Sequence, residues 1–478
     1  MYNKTMEKVY DFAIFGGGVV GACLLNKLTR LDKSAVILEK AQDVATGQTK
    51  ANSGIIHAGF DAKPNTLKAK LNVRGSQIYP SLCKEIGVEL IKCGAVVVDK
   101  TLDVPQMLYE RGLKNQVDGL EILNQEQLHS LVKNLKSDFK YGLYAKSSAV
   151  ISPFMFTVAL CEHSVINGGE IVFDFDTENI SFENDIYKIS SQTNKTIYAK
   201  NIINCAGFGY NDIAKLLGEE VLQITFKRGE YFVLDNTEND FVSLTVFPAP
   251  NDNGKGILAT PTADGNILLG PNAQVCDYDL QTTTQGLTQV KQGVENMFNN
   301  LPWKKVIRNY SGVRTIYGDD FYIKKGKNKN IVNIAGICSP GLSSAPAIAE
   351  YVCFEILKLD KTEKQMKPRD FYINMNKLSL EQQNEIIKKD GRFGKIVCKC
   401  EKVSEGEILQ AINSSLKPKS IDGIKRRVRA GMGRCQGGFC TLKVANLIAR
   451  QNNIELEQVL KENKQSEIAL ESFKNGIL

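Results

Sequence analysis

Apolar positions near the N-terminus change from a continuous run to a helical period across a cluster of glycines. Residues 12–15 are all apolar and predict a buried strand, while valine and leucine at positions 20, 24, 25 and 28 follow one helix face. Gly16, Gly18 and Gly21 lie at the junction in a G-x-G-x-x-G pattern. In such a turn the first glycine forms the bend, the second lets backbone approach a pyrophosphate, and the third lets helix and strand pack closely. The pattern predicts a dinucleotide site.

A second apolar run ends in an acidic residue at the expected distance. Residues 34–38 predict a strand, and Glu39 follows it 18 positions after Gly21. A carboxylate at this place accepts hydrogen bonds from ribose hydroxyls and repels a 2′-phosphate. FAD or NAD is therefore favoured over NADP.

The apolar pattern divides residues 1–365 between two interleaved domains. Strand-then-glycine and helical segments predict the nucleotide-binding domain at about 10–90, 146–215 and 328–365. Short β-prone segments predict a mostly antiparallel substrate domain at about 91–145 and 216–327. Polar residues 366–395 lack a strong pattern and are expected to connect a separate unit.

Composition supports a large multi-domain protein. The chain has 478 residues, 43% of them hydrophobic, which corresponds to about three domains. It contains no 18-residue apolar run, so no transmembrane segment is expected. The polar residues 1–10 lack the apolar centre of a signal peptide, which favours a cytoplasmic location.

Charge is mixed along the chain except in one short segment. The net charge is +7, and residues 425–429 form the one dense basic run, Lys-Arg-Arg-Val-Arg. The run has no aromatic residues on which bases could stack, so nucleic acid binding is not favoured. A solvated helix face or a docking patch for an acidic protein is expected there.

Two single residues are candidates for chemistry. His57, one of three histidines, lies among small residues between Gly54 and Gly59, where it is either a catalytic base or a structural side chain. Arg314 has small or apolar neighbours and is either a surface cation or an anion clamp, since a guanidinium binds carboxylate or phosphate in a bidentate way. Lys227 is interpreted as a surface cation.

Four of the twelve cysteines form a cluster near the C-terminus. Cys398 and Cys400 are followed 35 positions later by Cys435 and then Cys440. The other eight are scattered in apolar surroundings and are expected to be reduced core residues. Around the cluster, a capping box S-x-x-E at 404–407 and apolar spacing predict helices, including 420–430 and 441–450. Four converging thiolates predict an iron–sulfur cluster or zinc, and the Cys-x-Cys spacing favours iron–sulfur.

These residues resemble two known families. Residues 10–365 resemble flavoproteins of the D-amino-acid-oxidase type, and segments 52–61 and 227–231 are similar to FAD-linked glycerol-3-phosphate dehydrogenases and oxidases. The L-2-hydroxyglutarate oxidases share part of this pattern. Residues 397–440 resemble the bacterioferritin-associated ferredoxin module, and this resemblance implies a 2Fe–2S cluster rather than zinc.

The resemblance implies an α/β (α+β) protein in which a Rossmann-like FAD-binding domain is interleaved with an antiparallel-sheet substrate domain. A small helical iron–sulfur domain is expected at 396–450, followed by a helical tail at 451–478. The cluster ligands are expected to be Cys398, Cys400, Cys435 and Cys440. The expected FAD contacts are Gly16, Gly18, Gly21, Glu39, Lys40, Thr46, Asn52, Ser53, Gly54, Ala206, Gly207, Gly336, Gly341, Leu342 and Ser343.

The resemblance also implies a reaction. In the similar enzymes a histidine at the position of His57 takes a hydroxyl proton while hydride passes to flavin. Arg314 is expected to hold the substrate anion, with Arg228 as a second clamp. Glycerol 3-phosphate is the expected substrate, and a 2-hydroxy-acid oxidoreductase or an electron-relay subunit are the alternatives. Electrons are expected to leave through the cluster to a second flavoprotein or another acceptor protein, docked on the basic run at 425–429. Such a partner would also attach the protein to a membrane.

Overall fold

The computed structural model describes residues 8–238, 240–250 and 256–469. Its first domain is built on the N-terminal strand–turn–helix unit. β1 (Val9–Phe15) runs into α1 (Val19–Arg30), and β2 (Ala35–Leu38) pairs with β1 in parallel. Both strands and the apolar face of α1 are buried, as the pattern of apolar residues predicts.

Distant chain segments complete the sheet of this nucleotide-binding domain. Parallel pairing joins the strands in the order β9, β2, β1, β12, β20, and β12 also pairs with the antiparallel β11 over its first half. The added strands are β9 (Glu170–Val172), β10 (Thr177–Glu183), β11 (Ile186–Ser191), β12 (Thr196–Asn204), β19 (Tyr322–Lys325) and β20 (Ile331–Ala335). The carboxyl ends of β1, β12 and β20 meet at one edge, where ligands bind in such sheets.

Helices cover this sheet. α1, α5 and α8 enclose a core of aliphatic side chains, and α2 packs on α8. The helices are α2 (Leu67–Ile86), α5 (Pro153–Val165), α6 (Tyr210–Leu216) and α8 (Gly341–Tyr351), the last continued by a π-helical turn at Val352–Ile356. A small sheet of β3 (Ile55–Ile56), β4 (Leu90–Ile91) and β8 (Ala149–Ile151) leads to the second domain.

The second domain is one nine-stranded sheet built from both predicted substrate segments. All of its strand pairs are antiparallel except β14 with β5, which joins the two segments. Its strands are β5 (Ala95–Asp99), β6 (Leu120–Leu123), β7 (Tyr141–Ala145), β13 (Thr225–Leu234), β14 (Thr245–Pro248), β15 (Leu258–Pro261), β16 (Ile267–Gly270), β17 (Gln274–Val275) and β18 (Val306–Ile316). Its helices are α3 (Asp103–Lys114), α4 (Gln125–Leu131) and α7 (Thr284–Met297).

The C-terminal module has its own apolar core. It contains the hairpin β21 (Ile396–Cys398) and β22 (Val403–Ser404) and the helices α10 (Glu405–Ile412), α11 (Ile421–Val428) and α12 (Thr441–Asn452). The predicted capping box starts α10, where Ser404 and Glu407 satisfy each other's backbone N–H groups. The expected α/β class with a small helical third unit is confirmed.

Two expectations about the flanks of this module need correction. The connector at 366–395 contains α9 (Leu380–Lys389), whose capping box at Ser379 and Gln382 the apolar pattern did not reveal. A helical tail is expected, but beyond α12 its described part has a 3₁₀ turn at Leu456–Gln458 and an antiparallel bridge between Leu460 and Glu467. Residues 470–478 of that tail lie outside the described residues.

The basic run is buried between domains rather than exposed. It forms α11 and its end, where the side chains of Arg426 and Arg427 are 5% and 0% exposed. Arg427 binds Asp43 of the nucleotide-binding domain through two hydrogen bonds of 2.8 and 2.9 Å, and burial lowers the pKa of Lys425 to about 8. The expectation that this run docks an acceptor is wrong, because carboxylates of this chain already pair with its guanidinium groups.

The helices have the lengths usual in globular proteins. The 20-residue α2 interleaves charged and polar residues with its buried face, and across the described parts of the chain no helix is long and apolar enough to span a bilayer.

Candidate active site

The glycine turn after β1 has the geometry that close packing requires. Gly16 has a φ of +105°, and a Cβ there would lie 2.9 Å from the carbonyl oxygen of Cys205. A Cβ on Gly21 would overlap the carbonyl oxygen of Gly16. These two positions therefore need glycine for backbone conformation and for helix–strand approach.

The start of α1 offers polar backbone to a ligand. Gly18 is the N-cap residue and provides no side-chain cap, so the N–H of Val19 donates to Thr49 Oγ1 at 3.0 Å instead. The positive end of the helix dipole and the first-turn amides face the edge of the sheet. This arrangement suits a pyrophosphate.

Glu39 lies beside this turn, at the end of β2. Its carboxylate accepts hydrogen bonds from the N–H groups of Gly17 at 2.6 Å and Ala41 at 2.8 Å. Burial raises the pKa of the Glu39 carboxyl. The neighbouring Lys40 points to solvent and pairs with Asp176 at 3.2 Å.

A cavity of about 1920 Å³ runs from this turn to the sheet of the second domain. It exceeds the ~300–1,000 Å³ of an ordinary small-molecule pocket, which leaves room for an extended dinucleotide and a small substrate. Of the predicted residues, Gly21, Gly54 and Arg228 do not line it. Those that line it are Gly16, Gly18, Glu39, Lys40, Thr46, Asn52, Ser53, His57, Ala206, Gly207, Arg314, Gly336, Gly341, Leu342 and Ser343.

His57 is held at the cavity wall by its backbone. Its N–H donates to Ser343 Oγ at 2.8 Å, and its carbonyl accepts from Asn72 Nδ2 at 2.6 Å. Ser343, fully buried in the first turn of α8, also donates to the carbonyl of Ile55. The imidazole lies 5.8 Å from the ring of Phe247 between centroids. The ring is thus placed by contacts from both domains.

Two tyrosines that sequence reasoning passed over connect Ser53 to the second domain. Ser53 Oγ lies 3.2 Å from the hydroxyl of Tyr231. The Tyr231 ring stacks on Tyr310 with centroids 4.7 Å apart and planes 8° apart, and the Tyr310 hydroxyl donates to the carbonyl of Asn52 at 3.2 Å. Tyr231 stood in the segment 227–231 that carried the resemblance, and its spacing of two from Gly229 could have placed it on the cavity face.

The cations of β13 and β18 differ from expectation. Lys227 and Arg314 are direct partners across these antiparallel strands, and both line the cavity. Arg228 points to the opposite face, where its guanidinium pairs with Glu230 at 3.0 Å and Asp279 at 2.8 Å. Because successive side chains of a strand point to opposite faces, Lys227 takes the position at the cavity that was expected for Arg228. The placement of Arg228 does not support a second substrate clamp, and Lys227 is not a surface cation.

The four C-terminal cysteines converge as two pairs. The thiol of Cys398 shares a hydrogen bond with Cys440, and Cys400 shares one with Cys435. The bond from Cys440 and the backbone N–H of Gly431 lower the pKa of Cys398 to about 6. Cys440 is the N-cap of α12, and the same hydrogen bond, in which its thiol faces Cys398, raises the pKa of Cys440.

This donor set fits a two-iron cluster. A tetrahedral zinc site groups its ligands around one ion, whereas the four thiols here lie as two hydrogen-bonded pairs. A 2Fe–2S cluster takes two thiolates on each iron, which matches two cysteine pairs. Backbone N–H groups of Gly437 and Phe439 reach Cys435, as second-sphere donors to cluster ligands do.

Comparison with known proteins matches two parts of the chain. The family model described as FAD dependent oxidoreductase matches residues 11–354. The chain belongs to this family of FAD-dependent oxidoreductases. A second model, described as a BFD-like [2Fe-2S] binding domain, matches residues 396–450 of the oxidoreductase. The expected cofactors, FAD and a 2Fe–2S cluster, are confirmed.

Similar proteins cover this FAD-dependent oxidoreductase to different extents. A glycerol 3-phosphate dehydrogenase of Caloramator mitchellensis is 39% identical over 98% of this chain and 100% of its own. A glycerol 3-phosphate oxidase of Mycoplasma genitalium is 30% identical over 74% of this chain and 96% of its own. The solved structure of dithionite-reduced L-alpha-glycerophosphate oxidase from Mycoplasma pneumoniae, with FAD bound, superposes with a TM-score of 0.70 at 26% identity, over 76% of this chain and 97% of that chain.

Proposed function

We propose that this oxidoreductase converts glycerol 3-phosphate to dihydroxyacetone phosphate. The observation that carries the proposal is the pair Lys227 and Arg314, which face the cavity from adjacent strands. Within the described part of the chain neither side chain forms an ion pair. Two cations suit a phosphate dianion, whereas a carboxylate needs one bidentate guanidinium. The names of the relatives support the same substrate.

His57 is proposed as the general base. Its backbone is held from two sides by Ser343 and Asn72, which positions the imidazole at the cavity wall. Histidine is the side chain that most often acts as general base, and its imidazole is suited to accept the proton of a secondary hydroxyl. FAD, when bound, supplies the hydride acceptor. Arg314 orients the substrate anion, so that binding energy is used to hold the reacting C–H bond in place.

The second cofactor supports a path by which electrons leave the protein one at a time. A cluster held by Cys398, Cys400, Cys435 and Cys440 supplies one-electron chemistry, which suits an acceptor protein rather than direct reaction with oxygen. Cys400 is exposed, and the neighbouring Phe439 and Leu442 are 80% and 60% exposed. With the basic run buried, we place acceptor docking at this apolar surface beside the cluster ligands.

An anaerobic titration tests the substrate. Glycerol 3-phosphate is added to the holoenzyme while flavin absorbance is followed, with L-2-hydroxyglutarate in a parallel titration. Bleaching by glycerol 3-phosphate alone is expected. Bleaching by the hydroxy acid alone contradicts the proposal and supports a 2-hydroxy-acid oxidoreductase, and bleaching by neither favours an electron-relay subunit.

A variant of the apolar surface beside the cluster ligands tests whether the electron acceptor docks there. Phe439→Ser is expected to leave anaerobic flavin bleaching unchanged and to slow reduction of a protein acceptor. Leu113→Ser, which removes a 53% exposed leucine from α3, is the matched control. Equal acceptor reduction by both variants refutes docking at this surface.

A further inference from the structure

The end of the cavity beside Glu39 is closed by a segment from the other module. Residues 462–464, which follow the iron–sulfur module, line the cavity together with Glu39, Lys40 and Asp174. Lys464 Nζ lies 3.8 Å from Asp174 Oδ1, and the N–H of Asp174 donates to the carbonyl of Ala41. The segment therefore contacts the part of the cavity where the sequence predicts the ribose.

One partly buried carboxylate, 19% exposed, ties this segment to both modules. Glu462 accepts from Lys50 Nζ at 2.6 Å with both of its oxygens. It also accepts from Arg426 at 2.7 Å. Lys50 belongs to the loop of the nucleotide-binding domain that lines the cavity, and Arg426 belongs to α11 of the iron–sulfur module. The position of the segment thus depends on the contact between modules.

The facing wall of the cavity is tied to the same helix. Asp43 accepts from Arg427 at 2.8 and 2.9 Å and from Arg426 at 2.9 Å. It begins the loop whose residues 46–49 line the cavity and whose Thr49 caps α1. Both walls at this end are therefore held by arginines of α11.

A polar atom in the segment lacks a partner. Asn463 lines the cavity, and its Oδ1 atom is buried and makes no hydrogen bond to the described residues. Leaving such an acceptor unsatisfied is unfavourable. The adenosine half of FAD carries ribose hydroxyls and an amino group that donate hydrogen bonds, which suits an unpaired amide oxygen.

We propose that residues 462–464 form part of the FAD site, so that the iron–sulfur module closes the adenosine end of the cavity and retention of FAD depends on its docking. The proposal requires FAD but is independent of the substrate. One element then holds both sides of the adenosine end: α11 binds Asp43 of the loop that lines the cavity and Glu462 of the segment.

Release of FAD from the diluted holoenzyme, followed by free flavin fluorescence without substrate, tests this. Asn463→Ala is expected to release FAD roughly 3- to 10-fold faster, the effect of one hydrogen bond. Glu462→Ala, which frees the segment, is expected to act at least as strongly. Lys461→Ala is the matched control, because this neighbouring cation does not line the cavity and its 56% exposed side chain makes a surface pair, which contributes little; its release rate should stay within about twofold of wild type. Wild-type release from both Asn463→Ala and Glu462→Ala overturns the proposal.

Hydrogen exchange on the unmodified protein gives an independent measurement. Amides of residues 459–466 are expected to exchange more slowly in the holoenzyme than after FAD has been removed. Equal exchange in the two forms overturns the proposal. Visible absorption of the cluster shows whether the iron–sulfur module is still folded in a variant. If Glu462→Ala has lost this absorption, Asn463→Ala and the exchange experiment decide whether the proposal holds. A protein that binds FAD normally but is not bleached by glycerol 3-phosphate contradicts only the proposed substrate.

Discussion

Replacing Asp43 by asparagine should loosen the iron–sulfur module from the nucleotide-binding domain. The carboxylate is 4% exposed and accepts three hydrogen bonds from two arginines that are themselves 5% and 0% exposed. A neutral amide at this position would leave the two guanidinium groups short of a buried counter-charge. Removing one partner of a buried ion pair destabilises a protein by about 3–5 kcal/mol. Because asparagine keeps one acceptor oxygen, we expect a loss of docking free energy at the lower end of this range.

A loss of about 3 kcal/mol raises the population of the opened state roughly 100-fold. Native-state hydrogen exchange measures this directly, because amides protected by docking exchange in proportion to that population. Amides at the C-terminal half of α11 should exchange roughly 100-fold faster in Asp43→Asn. Amides in β1 and α1 should be unchanged, since the core around them does not involve Asp43.

The control is Asp185→Asn. Asp185 pairs with Lys329 on the surface, where the side chains are 70% and 61% exposed, and such pairs contribute only about 0–1 kcal/mol. It should leave exchange in α11 unaltered. The reasoning is refuted if Asp43→Asn changes exchange in α11 by less than about threefold, since the ion pairs would then contribute no more than a surface pair.

Four further outcomes are expected. His57→Asn should slow anaerobic flavin reduction by ~10²–10⁴-fold while FAD stays bound; an unaltered stopped-flow rate would exclude His57 as the base. Arg314→Lys and Lys227→Met should each raise KM for glycerol 3-phosphate by roughly 10-fold or more, whereas Lys200→Met, at an exposed pair with Asp11, should not. Gly21→Ala should prevent stable FAD binding, because its Cβ would overlap the Gly16 carbonyl; Gly391→Ala, which meets nothing within 4 Å, should bind FAD normally. Burial opposes ionisation of Asp43, but Arg427 and Arg426 outweigh it and hold the pKa of Asp43 below the usual range. Docking of the module should therefore be constant above pH ~4, the pKa of an unfolded aspartate, and should weaken as the pH falls below it. Amide exchange in α11 that is equally slow at pH 3 and pH 6, after correction for the intrinsic exchange rate, would contradict this.

The parts predicted from the sequence are those that depend on neighbours in the chain. The glycine turn, the strand that ends at Glu39 and the capping box at Ser404 are local patterns, and the structure has each of them. The cysteine pairs also follow local spacing within 398–400 and 435–440. Such features need few distant contacts to be recognised, because their chemistry lies within a few residues.

The missed features depend on distant partners. Arg427 is interpreted as a solvated cation until Asp43, 384 positions away, is placed beside it. Lys227 and Arg228 cannot be assigned to faces of β13 until the register with β18 fixes which side meets the cavity. The segment at 462–464 carries no motif at all, and only the docked structure shows that it reaches the FAD end of the cavity.

The order of strands has a consequence for synthesis of the protein. The glycine turn leaves the ribosome early, but β20, which pairs with β12 in the same sheet, follows some 300 residues later, at Ile331–Ala335, and Lys464 lies 448 positions after Gly16. At ~5–20 residues per second, that interval lasts roughly 20–90 s. For the part of that interval between synthesis of Asn204 and of Ile331, β12 presents the edge that β20 will cover. Nascent chains expose this edge to other strands during that time, and the FAD site proposed above is complete only after residues 462–464 have been synthesised.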